Sequence, residues 1–192
     1  MNSELYKELI KVTDEEQQIL SGKSTIDRTL YMGDATNTID AAKLLEEGKL
    51  IQVRPHTRFV HFPCHTHNYV EVVYMCSGST HQVIDGHDII LKPGELLFLS
   101  KHATQEIFPA GESDLAINFI ILPEFFSLTL QMLGKDDNIL RTFLVESLIS
   151  DGKGPSYLHF KVADVLPIQN LVENLIWSIH NRQANIKNIN QK

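Results

Sequence analysis

The centre of the chain is a series of short apolar runs separated by turn residues. Between Leu50 and about Leu122 these runs are "LIQV", "YVEVVYM", "HQVI", "DIIL", "LLFL", "QEIF" and "LAINFIIL". Short apolar runs bounded by Gly, Pro, Asn and Asp are typical of strands. The Asp85-Gly86 pair between two runs predicts a tight hairpin, because type I′ turns need positive φ at both central residues. The pattern predicts an all-β sandwich or barrel over residues 50–122.

The region before these strands has helical periodicity. Residues 3–20 predict a short amphipathic helix, and residues 38–47 predict a second one that ends at Gly48. We therefore expect an N-terminal helical segment over residues 1–49.

The region after the strands, 123–182, also has helical periodicity. It contains the segments "PEFFSLTLQML", "DDNILRTFLVESLIS" and "ADVLPIQNLVENLIWSIHNRQ". The last segment predicts a helix over 164–182, with Pro167 in its first turn, where proline is tolerated. Its apolar stripe consists of Ile168, Leu171, Val172, Leu175, Ile176 and Ile179. Residues 183–192 lose this periodicity and predict a linker or tail.

The stripe on the 164–182 helix is wide enough to predict a homodimer. One edge of the stripe is expected to cover the strands or the preceding helix, and Leu175 and Ile179 are expected on the free edge, against a second subunit. The other interpretation is that the whole stripe packs within one subunit.

The amino-acid composition argues against several functional classes for this chain. The 192 residues are 43% hydrophobic and 21% charged, with a net charge of -7 and a pI of about 5.7. Proteins that grip nucleic acid need clustered Lys and Arg, so this chain is not expected to bind DNA by itself. Two cysteines, Cys64 and Cys76, do not make a disulfide framework. We expect reduced thiols, a cytoplasmic location and, since no apolar run could span a bilayer, no membrane contact.

The stretch "HTHNYVE" contains the candidate chemistry. His65, His67 and Glu71 share one parity, so on a single strand they would point to the same side. On a straight strand His67 and Glu71 would stand roughly 13 Å apart, too far for one site. A bend at Asn68 between two strands would bring the three side chains together. Imidazole and carboxylate are ligands for zinc, nickel, iron and manganese, so these three residues form a candidate divalent metal set.

The spacing His65-x-His67-x3-Glu71-x6-Gly78 resembles the first motif of the cupins, small antiparallel β-barrels that hold a ligand or metal. The glycine expected before the first histidine is missing, since Phe59 stands there.

The second cupin motif is less complete. Gly94 matches it, but Ser100 and His102 replace its Pro and Gly, and Gln105 stands where a histidine is expected. An amide oxygen is a poorer transition-metal ligand than imidazole. The resemblance implies a cupin-like, jelly-roll barrel with a weakened metal site.

The longer stretch from Phe59 to about Leu122 resembles the N-terminal regulatory domain of AraC-type bacterial transcription regulators, and the order of strands followed by helices extends the resemblance to about residue 182. In that family the barrel senses a small molecule, the helices pair two subunits, and a separate C-terminal domain with two helix-turn-helix units binds DNA. The chain stops at Lys192, so we expect it to be a truncated piece of such a regulator.

Two functional hypotheses follow. The first is a sensing and dimerisation domain that needs no cofactor, in which His65, His67, Glu71 and Gln105 contact an effector. The second is a cupin metalloenzyme, an oxygenase or isomerase acting on a small polar substrate, which needs a complete metal ligand set. At His65, His67 and Glu71, bound metal, hydrogen bonds to a ligand and a purely structural role all remain open.

Overall fold

The computed structural model describes residues 3–33, 36–126, 141–143, 145 and 155–181. Its elements, in chain order, are α1 (Ser3–Leu9), α2 (Asp14–Leu20), β1 (Thr38–Ile39), α3 (Ala41–Leu44), β2 (Ile51–Pro55), β3 (Phe62–His67), β4 (Val70–Ser77), β5 (Thr80–Ile84), β6 (His87–Leu91), β7 (Leu96–Leu99), β8 (Gln105–Ile107), β9 (Leu115–Ile121), β10 (Tyr157–Phe160) and α4 (Leu166–His180). Short 3₁₀ helices span Arg28–Leu30 and Pro123–Phe125.

The strands form two five-stranded sheets, with the orders β1-β3-β8-β5-β6 and β10-β7-β4-β9-β2. Every pairing is antiparallel except β1 with β3. The predicted fold class, a mainly β, jelly-roll type structure followed by a C-terminal helical hairpin, is confirmed for the two sheets and the final helix, and the other helix of the hairpin falls mostly outside the described residues. The predicted hairpin is also present, with φ of 49° at Asp85 and 80° at Gly86.

Strand β4 lies between two hydrophobic cores, and its successive side chains point alternately into one core and the other. Val73 and Met75 pack between the two sheets, against side chains of β5 and β6. Val70, Val72 and Tyr74 face the other way, into a core shared with α1 and α4. A strand buried on both faces reads as a continuous apolar run, as "YVEVVYM" does. Glu71 has the parity of the inter-sheet side.

The N-terminal segment differs from the prediction. Residues 3–20 form two helices, because Thr13 caps α2: its hydroxyl accepts from the Glu16 N–H while the Glu16 carboxylate accepts from the Thr13 N–H. The expected helix over 38–47 is reduced to the four residues of α3, because residues 38–39 instead pair with β3.

Arg58 fastens these N-terminal helices to the sheets. Its side chain is fully buried and donates to both carboxylate oxygens of Glu16, at 2.8 and 2.9 Å. Its remaining N–H groups donate to the backbone carbonyls of Ile10, Lys11 and Glu112.

The C-terminal region also departs from the prediction of helices alone. Tyr157–Phe160 forms β10, which pairs with β7 at the sheet edge. The two helices predicted before it fall almost wholly on residues outside the described ranges. The predicted division into domains stays a prediction.

Gln169 makes polar contacts that hold helix α4 against the sheets. Gln169 Nε2 donates to the carbonyls of Gly94 and Val162, at 2.9 and 2.7 Å, and the Tyr74 hydroxyl donates to its Oε1 at 2.7 Å. Gly94 has φ of 83°, and a Cβ there would lie 2.7 Å from the Cα of Ala163, so glycine permits this close approach.

The stripe of α4 divides between the core and the surface. Ile176 is buried, and Ile168 and Val172 pack against the same core. Leu171 and Leu175 are 70% and 44% exposed. The expectation that Ile179 lies on the free edge is wrong, since it is only 9% exposed and packs in the core. No helix in the described part of the chain has the length and apolar character needed to cross a membrane.

Candidate functional site

The bend expected at Asn68 is present and brings the "HTHNYVE" side chains together. His65 and His67 end β3 in one sheet, and Glu71 begins β4 in the other. Asn68 stabilises the turn, because its Oδ1 accepts from the Ala41 N–H and its Nδ2 donates to Asp40, at 2.8 and 2.9 Å. The three side chains are 2%, 2% and 3% exposed.

The four predicted site residues lie side by side. His67 Nε2 is 3.7 Å from Glu71 Oε2, and the His65 and His67 rings are perpendicular, with centroids 5.0 Å apart. Gln105 pairs with His65 across β3 and β8, and its Oε1 lies 3.1 Å from His65 Nε2. The structure therefore assembles the predicted set at the inner faces of the two sheets, while the roles of its members stay predictions.

Further buried polar residues extend this site, and the sequence analysis did not single them out. Asn118 Nδ2 donates to Glu71 Oε1 at 3.0 Å, and Asn118 Oδ1 lies 3.3 Å from His56 Nδ1. The side-chain amides of Gln105 and Gln82 lie within hydrogen-bond distance, at 2.8 Å. The available signal was a single polar residue inside an apolar run, as in "LAINFIIL" and "THQVI".

Burial raises the pKa of the carboxyl group in this site and lowers the pKa values of its two histidines, so that the uncharged forms are favoured. Desolvation raises the pKa of Glu71 to about 7 and lowers that of His65 to about 4. It also holds the pKa of His67 well below its ordinary value, and the nearby His65 adds to this. The Gln105 amide opposes the shifts at Glu71 and at both histidines only in part.

Three atoms of the site have no hydrogen-bond partner within the described residues: Glu71 Oε2, His67 Nδ1 and His67 Nε2. Buried polar atoms are almost always paired, so such atoms need an explanation. Their position beside one another gives the site one acceptor oxygen and one neutral imidazole that are available to a bound molecule.

A small cavity adjoins His65, Glu71 and Gln105, whereas His67 is not among the residues that line it. Its free volume is about 40 Å³, enough for a few water-sized groups. The N-terminal segment closes one side of it with Tyr31, Ile39 and Leu44. The remaining walls come from both sheets and the loop after β2: Arg54, Pro55, His56, Thr57, Phe62, His65, Tyr69, Glu71, Gln105, Ile107, Asn118 and Ile120. A larger effector requires some of these side chains to move.

The donor set does not fit a metal ion as the side chains stand. No three His, Cys, Asp or Glu side chains within the described ranges are grouped so that they could hold one. His67 and Glu71 approach each other, but His65 Nε2 faces the Gln105 amide instead of a shared centre. Metal binding by His65, His67 and Glu71 therefore stays a prediction that this geometry does not favour.

The chain folds into two mainly antiparallel sheets with a buried polar site between them. The family model described as "AraC-like ligand binding domain" matches residues 52–187. The chain therefore belongs to the AraC-like ligand-binding domain family, and it is a ligand-sensing domain of the AraC type.

Several solved structures have similarity to the chain, among them the following three. A cupin protein from Bacteroides fragilis is 23% identical, with 38% of this chain and 63% of that one covered and a TM-score of 0.31. A predicted oxalate decarboxylase from Thermotoga maritima is 23% identical, with coverages of 38% and 64% and a TM-score of 0.32. A ToxT variant from Vibrio cholerae in its apo form is 16% identical, with coverages of 67% and 46% and a TM-score of 0.45.

The chain thus spans less than two thirds of each of these three structures. The search of curated proteins found no match.

Proposed function

We propose that this domain binds a small polar effector between its two sheets, at His65, His67, Glu71 and Gln105. The main support is a group of buried atoms that have no hydrogen-bond partner among the residues that the structure describes, Glu71 Oε2 and both ring nitrogens of His67. A molecule with hydroxyl or amide groups would donate to the carboxylate oxygen and bond to the neutral imidazole. Such a molecule gains affinity because these buried groups are otherwise unsatisfied.

The domain acts as a sensor and not as an enzyme in this proposal, and it needs no cofactor. Metal-assisted chemistry requires a complete ligand set with open positions. Here the second-motif histidine is replaced by Gln105, whose amide bonds to Gln82. The competing hypothesis, a cupin oxygenase or isomerase, predicts near-stoichiometric iron, manganese, nickel or zinc in the purified protein. Elemental analysis that finds such metal, lost in the double variant His65→Ala and His67→Ala, would favour the enzyme.

Dimerisation through α4 is the second part of the proposal. Leu171 and Leu175 lie about one turn apart on the exposed side of the helix. A self-complementary patch of this kind gives a two-fold dimer. DNA would be bound by a separate helix-turn-helix domain of the regulator, in agreement with the net charge of -7 on this chain. A cytoplasmic location is part of the same proposal.

The effector site is tested by screening small polar metabolites for thermal stabilisation, followed by calorimetry. A true effector should stabilise the wild type, and Glu71→Gln and Gln105→Leu should weaken its binding by at least about tenfold. The control is His81→Ala, since His81 is exposed and pairs with Asp88 on the outside. An effector that binds both site variants as tightly as the wild type contradicts the proposed site.

The dimer is tested by analytical ultracentrifugation at micromolar concentration. We expect the wild type to be dimeric, and Leu171→Glu or Leu175→Glu to shift it to monomer with the sheets still folded. Ile90→Glu is the matched control, because Ile90 is a similarly exposed apolar side chain on β6. A monomeric wild type contradicts the dimer, and a dimer indifferent to both leucine variants excludes this face of α4.

A further inference from the structure

A line of polar side chains crosses three neighbouring strands inside the domain. It begins at the Pro63 carbonyl, which lies 2.8 Å from His65 Nδ1, and continues from His65 Nε2 to the Gln105 amide at 3.1 Å. Gln105 and Gln82 bond at 2.8 Å, and Gln82 reaches the Thr80 hydroxyl at 3.2 Å. His65 lies on β3, Gln105 on β8 and Gln82 on β5, which are adjacent in the sheet.

The positions of the hydrogens decide which groups along this line donate and which accept. A carbonyl oxygen only accepts, so His65 Nδ1 must carry a hydrogen for Pro63. An unprotonated imidazole has a single N–H, so with Nδ1–H donating to Pro63 the Nε2 atom is an acceptor. With Gln105 Oε1 turned toward it, two acceptors would face each other at 3.1 Å. That arrangement needs either a second proton on His65 or a cation between the two atoms.

We propose that Gln82 is a positioning residue of this site: with Thr80, it holds the Gln105 amide so that its N–H bonds to His65 Nε2. Rotating the carboxamides of Gln82 and Gln105 by about 180° exchanges the positions of their oxygen and nitrogen atoms. Each group on the line then has a suitable hydrogen-bond partner. The Thr80 hydroxyl then donates to Gln82, Gln82 donates to Gln105 Oε1, Gln105 donates to His65, and His65 donates to Pro63. Thr80 allows this because a hydroxyl both donates and accepts.

This arrangement of the Gln105 amide disfavours a metal ion at His65. The Nε2 lone pair is the one that a metal would need, and in this arrangement the Gln105 N–H occupies it. Gln105 then offers no oxygen to a cation, since its Oε1 accepts from Gln82. The site is therefore set for ligands that form hydrogen bonds with His67 and Glu71. This inference concerns the cavity proposed above for the effector, but its test needs no effector, so the two can fail separately.

Nuclear magnetic resonance on the ¹⁵N-labelled wild type at pH 7 gives the first test. We expect His65 Nδ1 to be protonated, Nε2 to be unprotonated, and a ¹⁵N–¹⁵N coupling through the hydrogen bond to connect Nε2 with Gln105 Nε2. A His65 ring that is protonated at both nitrogens, or an unprotonated Nε2 with no coupling to Gln105, overturns the proposal.

Gln82→Glu, compared with the wild type at about pH 9 so that the buried carboxyl group is ionised, is the sharpest variant, because it keeps the size of the side chain and leaves a carboxylate that only accepts. It forces Gln105 to donate toward position 82 and to turn Oε1 toward His65. We expect the coupling to disappear and Co²⁺, used as the probe, to bind at least about tenfold more tightly than to the wild type. Retention of the coupling, or equally weak Co²⁺ binding by both proteins, overturns the role of Gln82.

A second pair of variants covers the case in which Gln82→Glu does not fold. Thr80→Val removes the hydroxyl that donates to Gln82, whereas Thr80→Ser retains it. We expect hydrogen exchange of the Gln105 carboxamide to accelerate by about tenfold in Thr80→Val and to stay at the wild-type rate in Thr80→Ser. Equal rates in the two variants would contradict the proposed line.

Discussion

Two glutamates of this domain are equally buried, and their surroundings are opposite. Glu16 is 1% exposed, and both of its carboxylate oxygens are bonded: Oε1 accepts from the Arg58 backbone and side chain, and Oε2 from Arg58 and the Thr13 N–H. Glu71 is 3% exposed, and its Oε1 accepts from Asn118. Its Oε2 has no bonding partner in the described part of the chain.

This difference separates a residue that fastens the fold from one that is available to a ligand. At Glu16 burial favours the neutral acid, but hydrogen bonds from Arg58 and Thr13 outweigh it and the pKa is lowered. At Glu71 burial is opposed only by amide groups, so the pKa is raised to about 7. Burial of a carboxyl group is therefore not by itself a functional signal, whereas burial without complete hydrogen bonding is.

The largest expected effect comes from Arg58→Met, which leaves Glu16 buried without its cation. Breaking one side of a buried ion pair costs about 3–5 kcal/mol, because the remaining charge is uncompensated. We expect the free energy of unfolding, measured with urea, to fall by this amount and the helices α1 and α2 to exchange amide hydrogens first. A loss below about 1 kcal/mol would mean that Arg58 does not fasten the N-terminal segment.

Glu71→Gln is expected to increase stability, and the effect should depend on pH. The folded pKa of about 7 lies above the ordinary 4.5, so the folded state binds the proton more tightly. Wild-type stability therefore falls as the pH rises from about 4.5 to about 7, by up to about 3 kcal/mol. The variant has no such loss, because a glutamine side chain does not titrate in this range.

Urea unfolding of both proteins at pH 5 and pH 8 measures this effect. The variant should gain most at pH 8 and little at pH 5. A pH-independent difference would contradict the raised pKa of Glu71.

Glu16→Gln should have the opposite sign. The folded pKa of Glu16 is lowered, so the ionised carboxylate stabilises the protein above its unfolded pKa and this contribution is lost as the pH falls through the folded value. At pH 7 we expect a loss of about 2 kcal/mol, the scale of hydrogen bonds to a charged group. The difference between variant and wild type should shrink below about pH 4.5, as chemical denaturation at pH 3.5 would show.

The smallest effect is expected at the exposed ion pair between Lys23 and Asp27, whose side chains are about one third exposed. Lys23→Met should leave the free energy of unfolding unchanged within the error of urea denaturation, since such pairs are screened by solvent. This variant is the reference for the buried pair of Arg58 and Glu16. A loss of stability equal to that of Arg58→Met would show that burial does not determine how much an ion pair stabilises this domain.

Local signals in the sequence determined a large part of this structure. Asp85-Gly86 predicts its turn because only a few residues tolerate positive φ, and that preference acts within four residues. The spacing of His65, His67 and Glu71 predicts their convergence, because side-chain parity and strand rise require a bend between the two strands. The AraC-type resemblance depends on the longer stretch from Phe59 to about Leu122, and the family match confirms it.

Tertiary structure alone decided the groups that surround those three residues. Gln82 and Asn118 reach the site through the pairing of β5 with β8 and of β4 with β9, which joins residues 23 and 47 positions apart. Arg58 finds Glu16 across 42 positions. Strand β10 exists because it pairs with β7. A sequence window contains backbone propensity and periodicity, whereas the pairing of distant strands, and so the hydrogen-bond partner of a buried polar atom, is settled only when the sheets close over a common core.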